Sequence, residues 1–375
     1  MSEPVGEIAG ARRPVHGGIR PAQLRELGLD PAEALDFSAS VSPLGPPEGL
    51  WEALKRVDLG AYPDPECLEL REALADHHGV GMENLLVGNG STELIHLLAR
   101  ACISGPSSNG CPRVLQFSPT YGEYVGACEL AGAEMLELQA RREDDFSWDL
   151  DAAEAAILRE RPALIFLCNP NNPTGVYLDR QQVSRLCDAA AKANSLLVLD
   201  EAYVNFVEDR WDALPLLAAK SGANLALLRS MTKDYALTGL RLGYVAAAPE
   251  IVRRLSELQP DWSVNALAQA AGVVALEDED YLPRARQAVN ASRDFLTREL
   301  NEKGFCVLPS AANFLLVEAG NGAEWRERLM SRGMFVRDCA SFGLPDCIRI
   351  GIRSMPDCQR LAEAVRQEIA EHGNS

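Results

Sequence analysis

None of the ten cysteines stands in a CxxC pair and none of the five histidines in an HExxH, so the spacings that hold a zinc ion are missing and no metal is expected. No apolar run reaches bilayer-spanning length, and the opening MSEPVGEIAGARRPVHGG has no hydrophobic core of a secretory signal. Scattered cysteines in such a chain read as reduced thiols, and the expected location is the cytoplasm. Basic residues are outnumbered: 36 Lys and Arg against 54 Asp and Glu give a net charge of -18. That balance argues against nucleic acid or an anionic membrane as a partner. An anionic substrate would need a local arginine cluster working against the global field. Repeats and low-complexity segments are also missing, and 47% hydrophobic with 24% charged residues is ordinary for a folded chain. His77 and His78 are adjacent, and adjacent helical residues point in different directions, so the pair is read as surface.

With 375 residues the chain can build two domains. Short apolar runs alternate with longer amphipathic stretches. RVLQFSP, ALIFLCNP, SLLVLDEAY and NLALLRS read as strands; STELIHLLARAC, DRQQVSRLCDAAAKAN and PEIVRRLSELQ read as helices. This alternation predicts an α/β fold, a mostly parallel sheet between layers of helices. After about residue 250 the texture changes to a long helical region followed by the shorter strands NFLLVE, MFVRD and CIRIGIR, which predicts a smaller α+β domain.

In a doubly wound sheet, ligands bind at the carboxyl ends of the strands. Three successive strand exits carry unusual polar groups there: Asn169 and Asn172, then Asp200 and Tyr203, then Ser230 and Lys233. A lysine at such an exit can sit in a partly dry pocket, where desolvation lowers its pKa and frees the amine for Schiff-base chemistry. A cofactor with a pyridine ring, an aldehyde and a phosphate would find each of its partners here. Lys233 offers the amine, Asp200 a carboxylate for the ring nitrogen, and Asn172 and Tyr203 donors for the ring oxygen. GNGSTELI offers the phosphate cradle: Gly88 and Gly90 allow close backbone approach, and Ser91 and Thr92 open a helix with free N–H groups. Ser230 and Arg241 can reach the same phosphate.

With NPNNPTG (169–175), DEAY (200–203) and SMTKDYALTGLRLGY (230–244) in this order, the sequence closely resembles the fold-type-I pyridoxal-phosphate enzymes of the aminotransferase superfamily, from about His16 to Arg349. The resemblance implies the aspartate aminotransferase-like fold and pyridoxal 5'-phosphate as cofactor. It implies an N-terminal arm over 1–45 joining the small domain, a large cofactor-binding domain over 46–250 and a small domain over 251–375. It makes Lys233 the cofactor-linked lysine, Asp200 the partner of the ring nitrogen, and Tyr121 in FSPTYGEY the aromatic stacked on the ring. Tyr62 in AYPDP would serve the neighbouring subunit's site, so a homodimer with shared sites is expected. Arg349 matches the arginine that grips the substrate carboxylate, while Arg353, on the same strand face, is read as a surface charge.

Two branches handle phosphorylated amines, the histidinol-phosphate aminotransferases and the threonine-phosphate decarboxylases. HGG (16–18), DFSASVSPLGPP (36–47) and VRDCASFGLPDCIRI (336–350) are similar to the decarboxylase pattern, although Ser40 and Ser42 stand where asparagines are common. The expected reaction is therefore decarboxylation of an O-phosphorylated amino acid such as threonine phosphate, as in making the cobalamin side chain. Histidinol-phosphate transamination, or transamination of another amino acid, is the alternative. Either requires a second anion site, with Arg337 and His16 as its candidates. A regulator of the same superfamily would need a DNA-binding segment, for which the chain has no spare basic stretch.

Overall fold

The computed structural model describes residues 15–103 and 111–372; the first fourteen residues of the expected arm lie outside them. Thirteen strands are found among the described residues: β1 Leu35–Asp36, β2 Leu85–Asn89, β3 Arg113–Ser118, β4 Glu134–Gln139, β5 Leu164–Cys168, β6 Leu196–Asp200, β7 Leu225–Ser230, β8 Leu242–Ala247, β9 Cys306–Val307, β10 Phe314–Glu318, β11 Met334–Phe335, β12 Arg337–Asp338 and β13 Cys347–Gly351. Seven of them form the main sheet in the order β2-β8-β7-β6-β5-β3-β4. All neighbours in it are parallel except β8, which runs antiparallel to both β2 and β7.

The central strands are apolar at nearly every position because both faces are covered. Alternation sorts their side chains into two cores. Ile165, Leu167, Leu197, Leu199, Leu225 and Leu227 face one helical layer. Leu164, Phe166, Val198, Ala226 and Leu228 face the other. The covering helices carry clear local signals. The helix Arg180–Ala193 starts on a capping box between Asp179 and Gln182 and ends at Asn194 in the left-handed conformation.

A four-stranded antiparallel sheet, β12-β13-β10-β9, makes the core of the C-terminal part. The stretch MFVRD is not one strand. Met334 and Phe335 pair in parallel with Leu35 and Asp36, whereas Arg337 and Asp338 pair with Arg349 and Ile348. The chain thus changes sheets at Val336, and the N-terminal segment is stitched to the C-terminal part. We keep the three-part domain division as a proposal. Beyond residue 250, the helices Pro249–Ser256 and Ala266–Glu277 still pack on the flank of the large sheet, against β2 and β8 and against the helix Leu68–His78 respectively.

Candidate active site

At the carboxyl ends of β3, β5, β6 and β7 lies a cavity of about 1520 Å³. The sheet order reverses between β3 and β5, which is where a doubly wound sheet leaves its crevice. Tyr121, Asn172, Tyr203, Lys233 and Arg241 all line this cavity, as do His16, Arg337 and Arg349 from the two ends of the chain.

Lys233 sits on the short helix Met231–Asp234, directly after β7. Its Nζ lies 3.5 Å from Ser230 Oγ and 5.4 Å from the centre of the Tyr203 ring. Burial pushes its pKa down, against the opposing pull of Asp200. Asp200 ends β6, 3% exposed, and accepts hydrogen bonds from Tyr124 Oη (2.7 Å) and the Ala202 amide (2.9 Å). Burial raises its pKa, so the carboxylate calls for a cation or a proton donor. Tyr124 was not singled out in the sequence. Its signal was its place three residues after Tyr121, one turn along the helix that begins at Glu123. Its ring stacks on Phe166 at 4.5 Å, which fixes the hydroxyl on Asp200.

The residues expected to cradle a phosphate lie on the helix Gly90–Ile103 and in the loop before β8. Gly90 has φ +76°, and a Cβ there would stand 2.8 Å from Arg241 Nη2. Only glycine leaves that wall open. Gly90, Ser91 and Ser230 do not line the cavity; Thr92 and Tyr121 both do. Ser230 caps the lysine's helix and pairs with Thr232 Oγ1 at 2.5 Å.

Across the cavity, Arg349 Nη1 donates to Asn172 Oδ1 and Nη2 to the Ser38 carbonyl at 2.8 Å, while its buried Nε has no partner. Arg337 Nη2 donates to the Val15 carbonyl (3.0 Å) and Ser341 Oγ (2.6 Å). Arg353 is not a surface charge. Half-buried on the cavity wall, it donates to Asp357 and to the Asp36 carbonyl, because the turn after β13 folds it back onto the N-terminal segment. His16 also lines the cavity, but its Nε2 is 2.6 Å from Glu123 Oε1. Hydrogen bonds from His16 and then His96 draw the Glu123 carboxyl down to about 2. An anion at His16 would therefore meet a carboxylate. Ser40 and Ser42 line the same cavity: Tyr281 gives its one proton to the Gly45 carbonyl at 2.5 Å, so Ser42 Oγ donates to Tyr281 Oη at 2.9 Å, while Ser40 Oγ is buried without a partner. Tyr62 lies outside the cavity, 80% exposed and stacked on Trp262 at 4.7 Å.

A pyridine ring bearing an aldehyde and a phosphate fits these residues. Asp200 is a buried carboxylate with no cation bonded to it, a half-buried amine stands nearby, and the helix N-terminus beside Arg241 is kept open by a glycine.

The chain matches the family model described as aminotransferase class I and II over residues 32–365. Threonine-phosphate decarboxylase of Salmonella typhimurium is 34% identical over 361 residues, 94% of this chain and 96% of that protein. Histidinol-phosphate aminotransferase of Moorella thermoacetica is 34% identical over 352 residues, 92% of this chain and 88% of that protein. Among solved structures, histidinol-phosphate aminotransferase from Sinorhizobium meliloti in complex with pyridoxal-5'-phosphate aligns with a TM-score of 0.84 at 28% identity, covering 94% of this chain and 95% of that one.

Proposed function

We propose that this chain, which belongs to the class I and II aminotransferase family and uses pyridoxal 5'-phosphate, decarboxylates an O-phosphorylated amino acid, with threonine phosphate as the substrate. The observation that carries this reading is the pairing of two arginines. Arg337 and Arg349 are directly opposite each other across β12 and β13, and each is only 6% exposed. Like charges facing each other across strands repel. The nearest carboxylate to Arg337 among the described residues is Asp338, at 3.7 Å, outside hydrogen-bond range. Two neighbouring buried cations suit a substrate with two anionic groups, a carboxylate and a phosphate. Threonine phosphate carries both, whereas histidinol phosphate has no carboxylate. The second reading, transamination of a phosphorylated amine, is favoured by the aminotransferase relative of equal identity, and would use Arg349 for the oxo-acid partner.

When bound, the cofactor supplies an electron-poor ring that draws electrons from a bond at the substrate's α-carbon. Asp200, braced by Tyr124, holds the proton on the ring nitrogen. Arg241 and the amides at Ser91 and Thr92 bind the cofactor phosphate. Arg349 forks onto the substrate carboxylate and thereby sets which bond at the α-carbon is presented, while Arg337 binds the phosphate. The amine of Lys233 would hold a proton for the substrate's α-carbon. The deciding experiment supplies threonine phosphate alone. Carbon dioxide and aminopropanol phosphate, a precursor suited to the cobalamin side chain, should form without any 2-oxo acid. Turnover that needs 2-oxoglutarate and consumes histidinol phosphate would establish the second reading instead.

The same reading makes the working unit a homodimer. Tyr62 and Trp262, stacked on each other at 4.7 Å, are exposed, as are Trp51 and Leu59, and exposed large apolar side chains suit contact with a second copy. If Tyr62 serves the neighbour's site, Tyr62→Ala and Lys233→Ala proteins, each nearly inactive, should regain activity on subunit exchange. One intact site per heterodimer predicts about a quarter of wild-type activity per site in an equal random mixture. No recovery after exchange is confirmed by mass spectrometry would remove Tyr62 from the shared site.

A further inference from the structure

The residue after the lysine, Asp234, is a carboxylate only 4% exposed, and the reaction proposed above leaves it without a task. The helix Met231–Asp234 is a wall between two chambers. Thr232 and Lys233 face the main cavity. Met231 and Asp234 face a separate chamber of about 300 Å³ behind it. In that chamber Asp234 Oδ2 accepts a hydrogen bond from Asn205 Nδ2 at 2.7 Å, while Oδ1 is buried with no partner.

The geometry points to Asp234 as a positioning residue for the cofactor-linked lysine: seated behind Lys233 in its own chamber, it strengthens the lysine nitrogen's hold on its proton. Asp200 and Arg241 act on the same nitrogen from the other side, Asp200 favouring its proton and Arg241 opposing it. This rests on Lys233 being the lysine that carries the cofactor. Among the cations around Asp234, Lys233 pulls hardest on its carboxyl, ahead of Arg229 and Arg210. Arg229, from β7, is bonded to Glu201 at 2.9 Å and lies 3.7 Å from Asp212. Arg210 donates to Asn205 Oδ1 at 2.7 Å. From the helix Leu68–His78, His77 stands at the chamber rim and His78 is bonded to Tyr244 at 2.6 Å. Burial pushes His78 down to about 3, so it adds no positive charge near neutrality. Tyr235, Tyr244 and Tyr281 pack nearby and are all raised by burial, so they stay neutral.

Burial also pushes the Asp234 carboxyl up to about 7, with Asn205 and Lys233 pulling the other way. The carboxyl pulls the lysine's pKa up and the lysine pulls the carboxyl's down, so the proton affinity of each depends on the charge of the other. An anion behind the nitrogen favours its protonated form, so removing the anion makes the proton leave at lower pH. The exposed rim residues His77, Arg210 and Asp212 give the chamber a route to solvent that does not cross the substrate.

The test is a spectral pH titration of the purified holoenzyme, read at the visible band of the lysine-linked cofactor without substrate. Asp234→Asn should keep the band but move its midpoint down by about one pH unit, the scale of one charge a few ångströms away in protein. Asp234→Glu, which keeps the charge and has room in the chamber, should restore the wild-type midpoint. Asn205→Ala removes the carboxylate's hydrogen bond and should give a smaller downward shift. It decides the matter if Asp234→Asn does not fold. A band with an unmoved midpoint in Asp234→Asn, or in Asn205→Ala where that variant must decide, overturns the role of Asp234 alone. A wild-type band that survives replacement of Lys233 overturns the assignment of the lysine instead.

Discussion

Lys233→Ala protein, purified with pyridoxal phosphate, should lack the yellow absorbance of the wild type and lose roughly a thousandfold or more of its turnover. The proposed reaction lays two tasks on this one nitrogen, covalent attachment of the cofactor and proton delivery to the α-carbon, so its loss cannot be absorbed by a neighbour. The chain has four other lysines, Lys55, Lys192, Lys220 and Lys303, and none lines the cavity. The variant should still fold. Its side chain makes one long contact, to Ser230, and the helix that carries it is held by backbone bonds, including the Ser42 amide on the Lys233 carbonyl. A yellow Lys233→Ala protein would move the attachment to another lysine and undo the site. Circular dichroism of the variant separates that outcome from simple misfolding.

The second large effect is expected at the arginine pair, where two replacements should fail differently. Arg349→Ala removes the fork for the substrate carboxylate. With each charge-assisted hydrogen bond worth about 1.5–3 kcal/mol, kcat/KM should fall by about a hundred- to ten-thousandfold, with or without a phosphate on the substrate. It also strands the buried Asn172 oxygen that Arg349 now satisfies, which adds to the loss. Arg337→Ala should raise KM by about ten- to a hundredfold for the phosphorylated substrate. It should leave the non-phosphorylated analogue nearly unaffected. Equal losses on both substrates would show that Arg337 supports the wall between Val15 and Ser341 and does not bind phosphate.

What the sequence disclosed follows from where each signal is stored. β5, β6 and β7 were plain because burial on both faces writes itself as unbroken apolar runs. β4, on the sheet edge, reads EMLELQ, with Glu134, Glu137 and Gln139 exposed, and it was passed over. So was β8, whose small residues Gly243, Ala246 and Ala247 carry little β signal. Gly243 is small because a Cβ there would come within 2.7 Å of the Ser91 amide, a contact made in space and not in sequence. The residues expected to hold the cofactor could be read as a group because most stand at or just after a strand end, although Arg241 precedes β8. Arg353 and His78 were misread for one reason: their partners, Asp36 and Tyr244, lie far away in the chain, and spacing along a strand or helix says nothing of them. The asparagine-to-serine changes at 40 and 42 prove to be two different situations, one hydroxyl bonded to Tyr281 and the other unpartnered, which residue type alone does not distinguish.

The route of the chain through the site also orders its making. Every residue assigned to the cofactor within one subunit, from Gly90 to Arg241, falls inside the stretch that builds the large sheet, residues 85–247. The substrate wall needs Val15 and Ser38 together with Arg337 and Arg349, and β1 finds its partner only when Met334 and Phe335 exist. A chain leaving the ribosome from its N-terminus can therefore complete the cofactor's seat while the substrate's seat still lacks half its parts. Until then the N-terminal segment must wait with Leu35 and Phe37 uncovered, a sticky end held open for most of the time of synthesis. A product that stops before Arg337 would keep every residue assigned to the cofactor and lack both arginines assigned to the substrate.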